Sequence, residues 1–301
     1  MVTPALEDRL RGLVQAGRTV EVSSRWPVSE SAVISWADVM RFPLREHGVR
    51  PMLAPRPMLY CWTLPGLGKA GDRELTGKEV ARELLAQHGY DAVVATDIEQ
   101  EYYADLFVGQ RVIESTSLES VSALKSTRLG QGFFLKTIHR FRDESGREVG
   151  AQRVGGFFYR PGRATDGPGA AAGRTAGAGG WSPEQIRVST TDVVVGAMAT
   201  NDVEPVHHDA ELARSQGLGD IIMNVLTSLG LVASYATRRL DSDSLRLRRL
   251  RLALLAPVYP RCELTLLNPS LGHQADEVEA HVTGESPAGR HFESTLNFCS
   301  G

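Results

Sequence analysis

The stretch that most constrains this chain is Ile221 to Thr237, whose only ionisable side chain is Tyr235. Apolar residues recur at Ile222, Val225, Leu226, Leu229, Val232 and Ala236, which is helical spacing. A membrane span needs a longer run, and Asn224, Thr227, Ser228 and Ser234 interrupt this one. A helix that is apolar on nearly every face must be wrapped by other protein. The sequence therefore predicts a core helix with a sheet curled round it.

Just upstream stand Asp202 and His207, with Val203, Glu204, Pro205 and Val206 between them. Pro205 cannot donate to a helical ladder and restricts Glu204 before it, so a regular helix cannot cross this gap. The segment is expected to be a tight polar turn, entered from a strand at Asp192–Met198. Such a turn can hold a carboxylate and an imidazole facing each other at the mouth of an apolar channel. That pair suits proton transfer near neutral pH, because imidazole titrates there and a carboxylate can orient it. Asp209 is expected to cap a short helix at Ala210–Ser215, and His208 to face solvent.

The run Asn-Asp-Val-Glu-Pro-Val-His-His-Asp (Asn201–Asp209) resembles the hydratase 2 signature of the MaoC-like, hotdog-fold enoyl-thioester hydratases. Its usual form is Gly-Asp-x-Asn-Pro-x-His-x-Asp. The resemblance implies that Asp202 and His207 are the catalytic carboxylate and imidazole. Two motif positions depart from the usual form: Asn201 stands for Gly, and Glu204 for Asn. The usual His-Gly at the start of the central helix is Met223-Asn224 here, a form similar to the branch that handles bulky acyl-CoAs such as steroid side-chain intermediates. Asn224, Met223 and Gly219 are then the expected oxyanion and substrate-binding positions, with a backbone N–H at the helix start as oxyanion donor.

Length and patterning extend this to the whole chain. At 301 residues with 42% hydrophobic content, the chain can build one large domain or two ordinary ones. The expected fold class is α+β, a double hotdog with two antiparallel sheets each wrapped round a helix. Residues 1–160 form an expected N-terminal non-catalytic hotdog, since no Asp-x-x-Pro-x-His pattern occurs there. Residues 161–182, rich in Gly and Ala, form an expected flexible linker, and residues 183–301 the catalytic hotdog. Helices are predicted at Leu6–Ala16, Ser29–Arg41 and Thr76–His88, and strands at Val93–Gln100, Arg111–Ser122, Gly132–Arg142 and Glu148–Tyr159. The prolines around Met58 limit the N-terminal counterpart of the core helix to a short piece, leaving room for a wide acyl group. The Leu/Arg strand Leu245–Leu255 presents Arg246, Arg248, Arg249 and Arg251 either as a solvated face or to coenzyme A phosphates.

A net charge of −3, mixed in sign, points to no nucleic acid or anionic membrane as partner. Three separated cysteines argue against a disulfide framework, no Cys/His cluster suggests a metal, and the N-terminus has no signal-peptide h-region, so a cytoplasmic setting is expected. No cofactor is implied. The expected partner is an acyl-CoA or acyl-carrier-protein thioester, with the chain acting as a pseudo-dimeric monomer or as a homodimer. The expected reaction is reversible addition of water to a trans-2-enoyl thioester, giving the (R)-3-hydroxyacyl product by resemblance. A hotdog thioesterase would carry a carboxylate on the core helix, which Ile221–Thr237 lacks, and a polyketide-type dehydratase would need a Gly four residues after a His, which none of the eight has. An acyl-CoA-binding scaffold is the non-enzymatic rival.

Overall fold

The computed structural model describes residues 4–44, 52–67, 74–162, 180–240, 244–274 and 277–300. The first half runs α1 (Pro4–Gln15), β1 (Thr19–Ser23), α2 (Glu30–Met40), a 3-10 turn at Arg56–Trp62, and α3 (Gly77–Gln87). The strands β2 (Ala92–Tyr102), β3 (Val112–Val121), β4 (Lys125–Thr127), β5 (Gly130–Asp143) and β6 (Glu148–Pro161) complete it. The second half begins with β7 (Glu184–Val188), α4 (Thr190–Ala199), a 3-10 turn at Pro205–His207, α5 (Ala210–Ser215) and α6 (Val225–Leu240). It closes with β8 (Leu245–Leu254), β9 (Cys262–Gln274), β10 (Glu277–Ser286) and β11 (Gly289–Ser300).

All the strands join one antiparallel sheet in the order β1-β3-β5-β6-β2-β8-β11-β10-β9-β7, with β4 added on β5. The two halves meet where β2 pairs with β8, from Asp97 opposite Ala253 to Glu101 opposite Arg249. Read outward from that seam, β2-β6-β5-β3-β1 on one side repeats as β8-β11-β10-β9-β7 on the other. The repeat is the α+β double hotdog that the motif implied. Most of the expected linker, residues 163–179, lies outside the described residues.

Helix α6 is the helix the sequence predicted, beginning at Val225 after an extended approach through Ile221–Asn224. Every residue from Val225 to Ala236 is buried. Withdrawing a side chain such as Leu226, Leu229 or Val232 from water stabilises by roughly 1.5–3 kcal/mol each, so sheet and helix depend on each other. The Asn224 carboxamide oxygen accepts from the Thr227 N–H at 2.8 Å and caps the first turn.

The strand expected at Asp192–Met198 is instead α4. The Val-Val-Val run suggests a strand, but Ser189 and Asp192 form a reciprocal capping box that starts a helix. Val193, Gly196 and Ala197 then fall on one buried face at helical spacing. A second correction concerns the counterpart of α6. Chain order gives that place to α3, which like α6 precedes the seam strand of its half. The Met58 segment, bounded by Pro55, Pro57 and Pro65, is a buried 3-10 turn in the same core as α6. Helix α3 packs Ala81, Leu84 and Leu85 into a separate core with Leu10, Phe133 and Phe158.

The arginine strand is explained by a β-bulge. The register of β8 against β11 slips between Asn297, opposite Arg249, and Phe298, opposite Leu247, so Arg248 is an inserted residue. Leu247, Leu250 and Leu252 thereby all point inward while Arg248, Arg249 and Arg251 stay exposed. Arg249 pairs with Glu99 across the seam. Three of the four arginines thus lie on the solvated face, and Arg246 is half-buried.

Where α4 crosses α6, a Cβ at Gly196 would lie 2.5 Å from Thr227 Oγ1 and 2.9 Å from its methyl. Ala replacing Gly ordinarily stabilises a helix interior by ~1 kcal/mol. At this crossing the β-branched Thr227 cannot swing away, so Gly196→Ala should destabilise by about 1–3 kcal/mol in chemical denaturation.

Candidate active site

The expected catalytic turn is assembled by backbone hydrogen bonds. Helix α4 ends at Ala199, Asn201 takes a left-handed conformation (φ 56°), and the Asp202 N–H donates to the Ala197 carbonyl at 3.0 Å. Pro205 opens the 3-10 turn, where its missing N–H costs nothing. The His207 N–H donates to the Glu204 carbonyl and the His208 N–H to the Pro205 carbonyl, both at 3.0 Å. Asp209 caps α5 by accepting from the Glu211 and Leu212 N–H groups. His208 is exposed, while His207 is buried.

The turn brings the two expected residues together. His207 Nδ1 lies 2.7 Å from the Ile222 carbonyl oxygen. A carbonyl can only accept, so Nδ1 carries a proton, and in the neutral ring Nε2 is the bare nitrogen. Nε2 faces Asp202 Oδ2 at 3.7 Å. Two acceptors separated by that gap can each take one hydrogen of a single water, at bonds of about 2.8 Å. The Ile222 segment is itself fixed, since its N–H donates to the Val206 carbonyl and the Met223 N–H to the Val258 carbonyl.

Both side chains line a cavity of about 410 Å³ at the meeting of the two halves. Val93, Val94, Phe157 and Phe158 supply apolar wall from the first half, and Ile222, Met223, Val225 and Leu226 from the second. The Lys125–Gly132 hairpin contributes Thr127, Arg128 and Leu129 to the lining. Met223 is thus on the wall, as expected. Asn224 stands just before α6, where its backbone N–H is expected to act, and is not among the lining residues. Its side chain is buried, with Nδ2 donating to Thr200 Oγ1 at 2.7 Å and Oδ1 capping α6. The first-turn residues that do reach the wall are Val225 and Leu226, whose N–H groups have no intrahelical acceptor. Gly219 is exposed, outside the cavity lining, and its N–H donates to the Tyr259 hydroxyl at 3.1 Å.

Several lining residues were not picked out from the sequence. Lys78 and Arg82, one turn apart on α3, reach the polar end of the cavity beside Asp202 and Glu204. Arg82 grips both Glu204 oxygens, at 3.0 and 3.4 Å. Burial, the largest single influence, would raise the Glu204 carboxyl; the Arg82 hydrogen bonds and the charges of Arg82 and Lys78 together outweigh it and hold the group below the usual carboxylate range. Burial pushes the Lys78 ammonium down, against the opposing pull of Glu204. These residues belong to an ordinary amphipathic helix, and only the packing of one half on the other gives them a role. Behind the wall, His139 Nδ1 lies 2.7 Å from Glu114 Oε1, and its Nε2 lies 2.9 Å from the hydroxyl of the cavity-lining Thr137. Burial alone would raise the Glu114 carboxyl, yet hydrogen bonds from His139 and Thr116 keep it below its ordinary value.

Comparison with known proteins bears on this geometry. A family model described as MaoC like domain matches residues 176–283, the part that carries the turn and α6. A probable enoyl-CoA hydratase alpha subunit from Thermomonospora curvata is 33% identical over 168 residues, 52% of each chain. The beta subunit of 3-oxo-4,17-pregnadiene-20-carboxyl-CoA hydratase from Mycobacterium tuberculosis is 32% identical over 106 residues, 35% of this chain and 81% of that one. The chain spans about half the length of the Thermomonospora relative. A solved MaoC-like dehydratase superposes with a TM-score of 0.72 at 18% identity, over 97% of this chain and 100% of its own. A Mycobacterium tuberculosis protein described as having a double hotdog fold gives 0.62 at 15% identity, over 95% of this chain and 96% of its own. At such identities the likeness is one of fold.

The Glu114–His139 pair gives a pH-dependent prediction. A carboxyl lowered in the folded state adds stability above its unfolded pKa of about 4.3, and that stability is lost as pH falls through the folded value. The melting temperature of the wild type should therefore drop on acidification below about pH 4.3. Glu114→Gln should start lower at neutral pH, by about 1–3 kcal/mol, and show a flatter acid limb in thermal melts.

Proposed function

Because the chain belongs to the MaoC-like family, we propose that it is an enoyl-thioester hydratase/dehydratase, adding water reversibly to a trans-2-enoyl-CoA to give the (R)-3-hydroxyacyl thioester. The observation that carries this reading is the placement of the His207 ring between a backbone carbonyl and Asp202. Nδ1 is committed to the Ile222 carbonyl, so in the neutral ring it is the basic Nε2 that faces Asp202 across 3.7 Å at the end of an apolar cavity.

The chemistry follows from those groups. A water held between Asp202 and Nε2 has its oxygen aimed into the cavity. As that oxygen bonds to C3 of the enoyl group, Nε2 takes the proton it releases. The electron pair of the C2–C3 double bond moves toward the thioester oxygen, where N–H groups of the first turn of α6 stabilise the growing charge. The imidazolium, steadied by the Asp202 carboxylate, returns its proton to C2. Run backward, the same steps dehydrate the 3-hydroxyacyl thioester.

The proposed division of labour gives catalysis to residues 183–301, wall and room to residues 1–160, and connection to residues 161–182. The acyl group is proposed to be bulky, such as a steroid side chain. A cavity walled by both halves supports this, as does the pregnadiene-carboxyl-CoA named for the Mycobacterium tuberculosis relative. Coenzyme A or an acyl carrier protein would present the thioester, and no cofactor enters the mechanism. The chain is proposed to act as a pseudo-dimeric monomer or as a homodimer of such chains. No helix among the described residues is long and apolar enough to cross a membrane. The thioesterase alternative would want a carboxylate on the central helix, and Val225–Leu240 has none.

The test is absorbance of the enoyl-thioester band in the purified chain with crotonyl-CoA and a series of bulkier enoyl-CoAs. Hydration should be fastest with the bulky members. Asp202→Asn and His207→Ala should each lower turnover by about 10²–10⁴-fold while the circular dichroism spectrum stays unchanged. Near-wild-type turnover in either variant would remove the role assigned here, and thiol release in place of hydration would favour the thioesterase.

A further inference from the structure

The two departures from the usual motif, Asn201 for Gly and Glu204 for Asn, share one structural property: both side chains leave the C-terminal half and engage the N-terminal one. Asn201 Nδ2 donates to the Cys61 carbonyl at 3.0 Å, at the end of the Arg56–Trp62 turn. Its Oδ1 packs so closely on Gly66 that a Cβ there would sit 3.2 Å away. Asn tolerates the left-handed conformation that makes Gly usual at this position. The chain thus keeps the backbone shape of the motif and gains a side chain that reaches across. Glu204 binds Arg82 of α3 through both oxygens. These anchors stand on either side of Asp202.

We propose that Asn201 and Glu204 are positioning residues that pin the Asp202–His207 turn to the N-terminal half, so that both halves set the gap between the two reacting groups. The proposal rests on the hydration reading and adds to it a duty for the first half beyond that of a wall. Stability is a poor explanation for the Arg82–Glu204 pair, whose side chains are both 45% exposed and whose kind contributes little to folding. Its bidentate geometry suits orientation instead. The Asn201 bond ties down the other side of Asp202, so the carboxylate is held between two fixed points.

The decisive variants are Asn201→Gly, which restores the usual family residue, and Arg82→Gln. Both should fold as the wild type does. Each should lower kcat by roughly 10-fold or more, as small misplacements of reacting groups do, while KM stays within about 2-fold because the cavity is intact. Arg82→Lys, which keeps one ionic contact, should recover most of the loss. ¹⁵N imidazole NMR of His207 supplies a readout independent of turnover: the wild type should show a single Nδ1–H tautomer, and the two loosened variants an averaged signal. Wild-type kcat in both variants would overturn the proposal, as would a loss that tracks a fall in melting temperature. If the wild type hydrates no enoyl thioester, the functional reading fails by itself. The anchors are then judged by the NMR, where an unaltered His207 signal in both variants would overturn them.

Discussion

The burial of α6 is the constraint on which the structure depends. A helix with no charged side chain before its last turn is insoluble alone, and among the described residues the sheet that covers it has no other core of that size to close upon. Covering it takes strands from both halves, which is why the β2–β8 seam exists and why one sheet runs through the molecule. The same demand creates the site. The helix must begin somewhere, and its first turn, with unpaired N–H groups, opens where the cavity wall passes from one half to the other.

A small set of backbone commitments turns that opening into a site. The Ile222 carbonyl selects the His207 tautomer, the Val206 and Val258 carbonyls fix the segment that bears it, and the Asn224 carboxamide joins the α6 cap to Thr200 at the end of α4. None of these contacts involves an exposed charge. These contacts are neutral hydrogen bonds among buried groups, where such bonds are strongest and least affected by salt.

Much of this was legible in the chain itself. The uncharged run announced α6, Asp202 and His207 flanked a proline that could only mark a turn, and the alternation of strands and turn residues gave both meanders. The misreadings have physical causes. The Val193-Val194-Val195 run looked like a strand because β-branched residues suit pleated surfaces, but a capping box at its start decided for a helix. The extra Arg248 breaks the two-residue period of β8, and a bulge absorbs it without turning a leucine outward. Gly219 was named from its closeness in sequence to the helix start, whereas the wall is reached by Val225 and Leu226. Lys78, Arg82 and Thr137 were beyond reach, because their importance comes from how one half sits on the other.

The seam between β2 and β8 carries a consequence for how such a molecule can change over generations. In a dimer of identical hotdog subunits every residue appears twice, so a cation installed opposite one carboxylate is installed opposite its symmetry mate as well. Joining the halves in one chain lifts that coupling. Helix α3 can present Lys78 and Arg82 to the polar turn of the other half, while the second half keeps α6, uncharged before its last turn, in the corresponding place. With the halves in one chain, a substitution on the α3 side of the cavity leaves the Asp202–His207 turn on the other side unchanged in sequence.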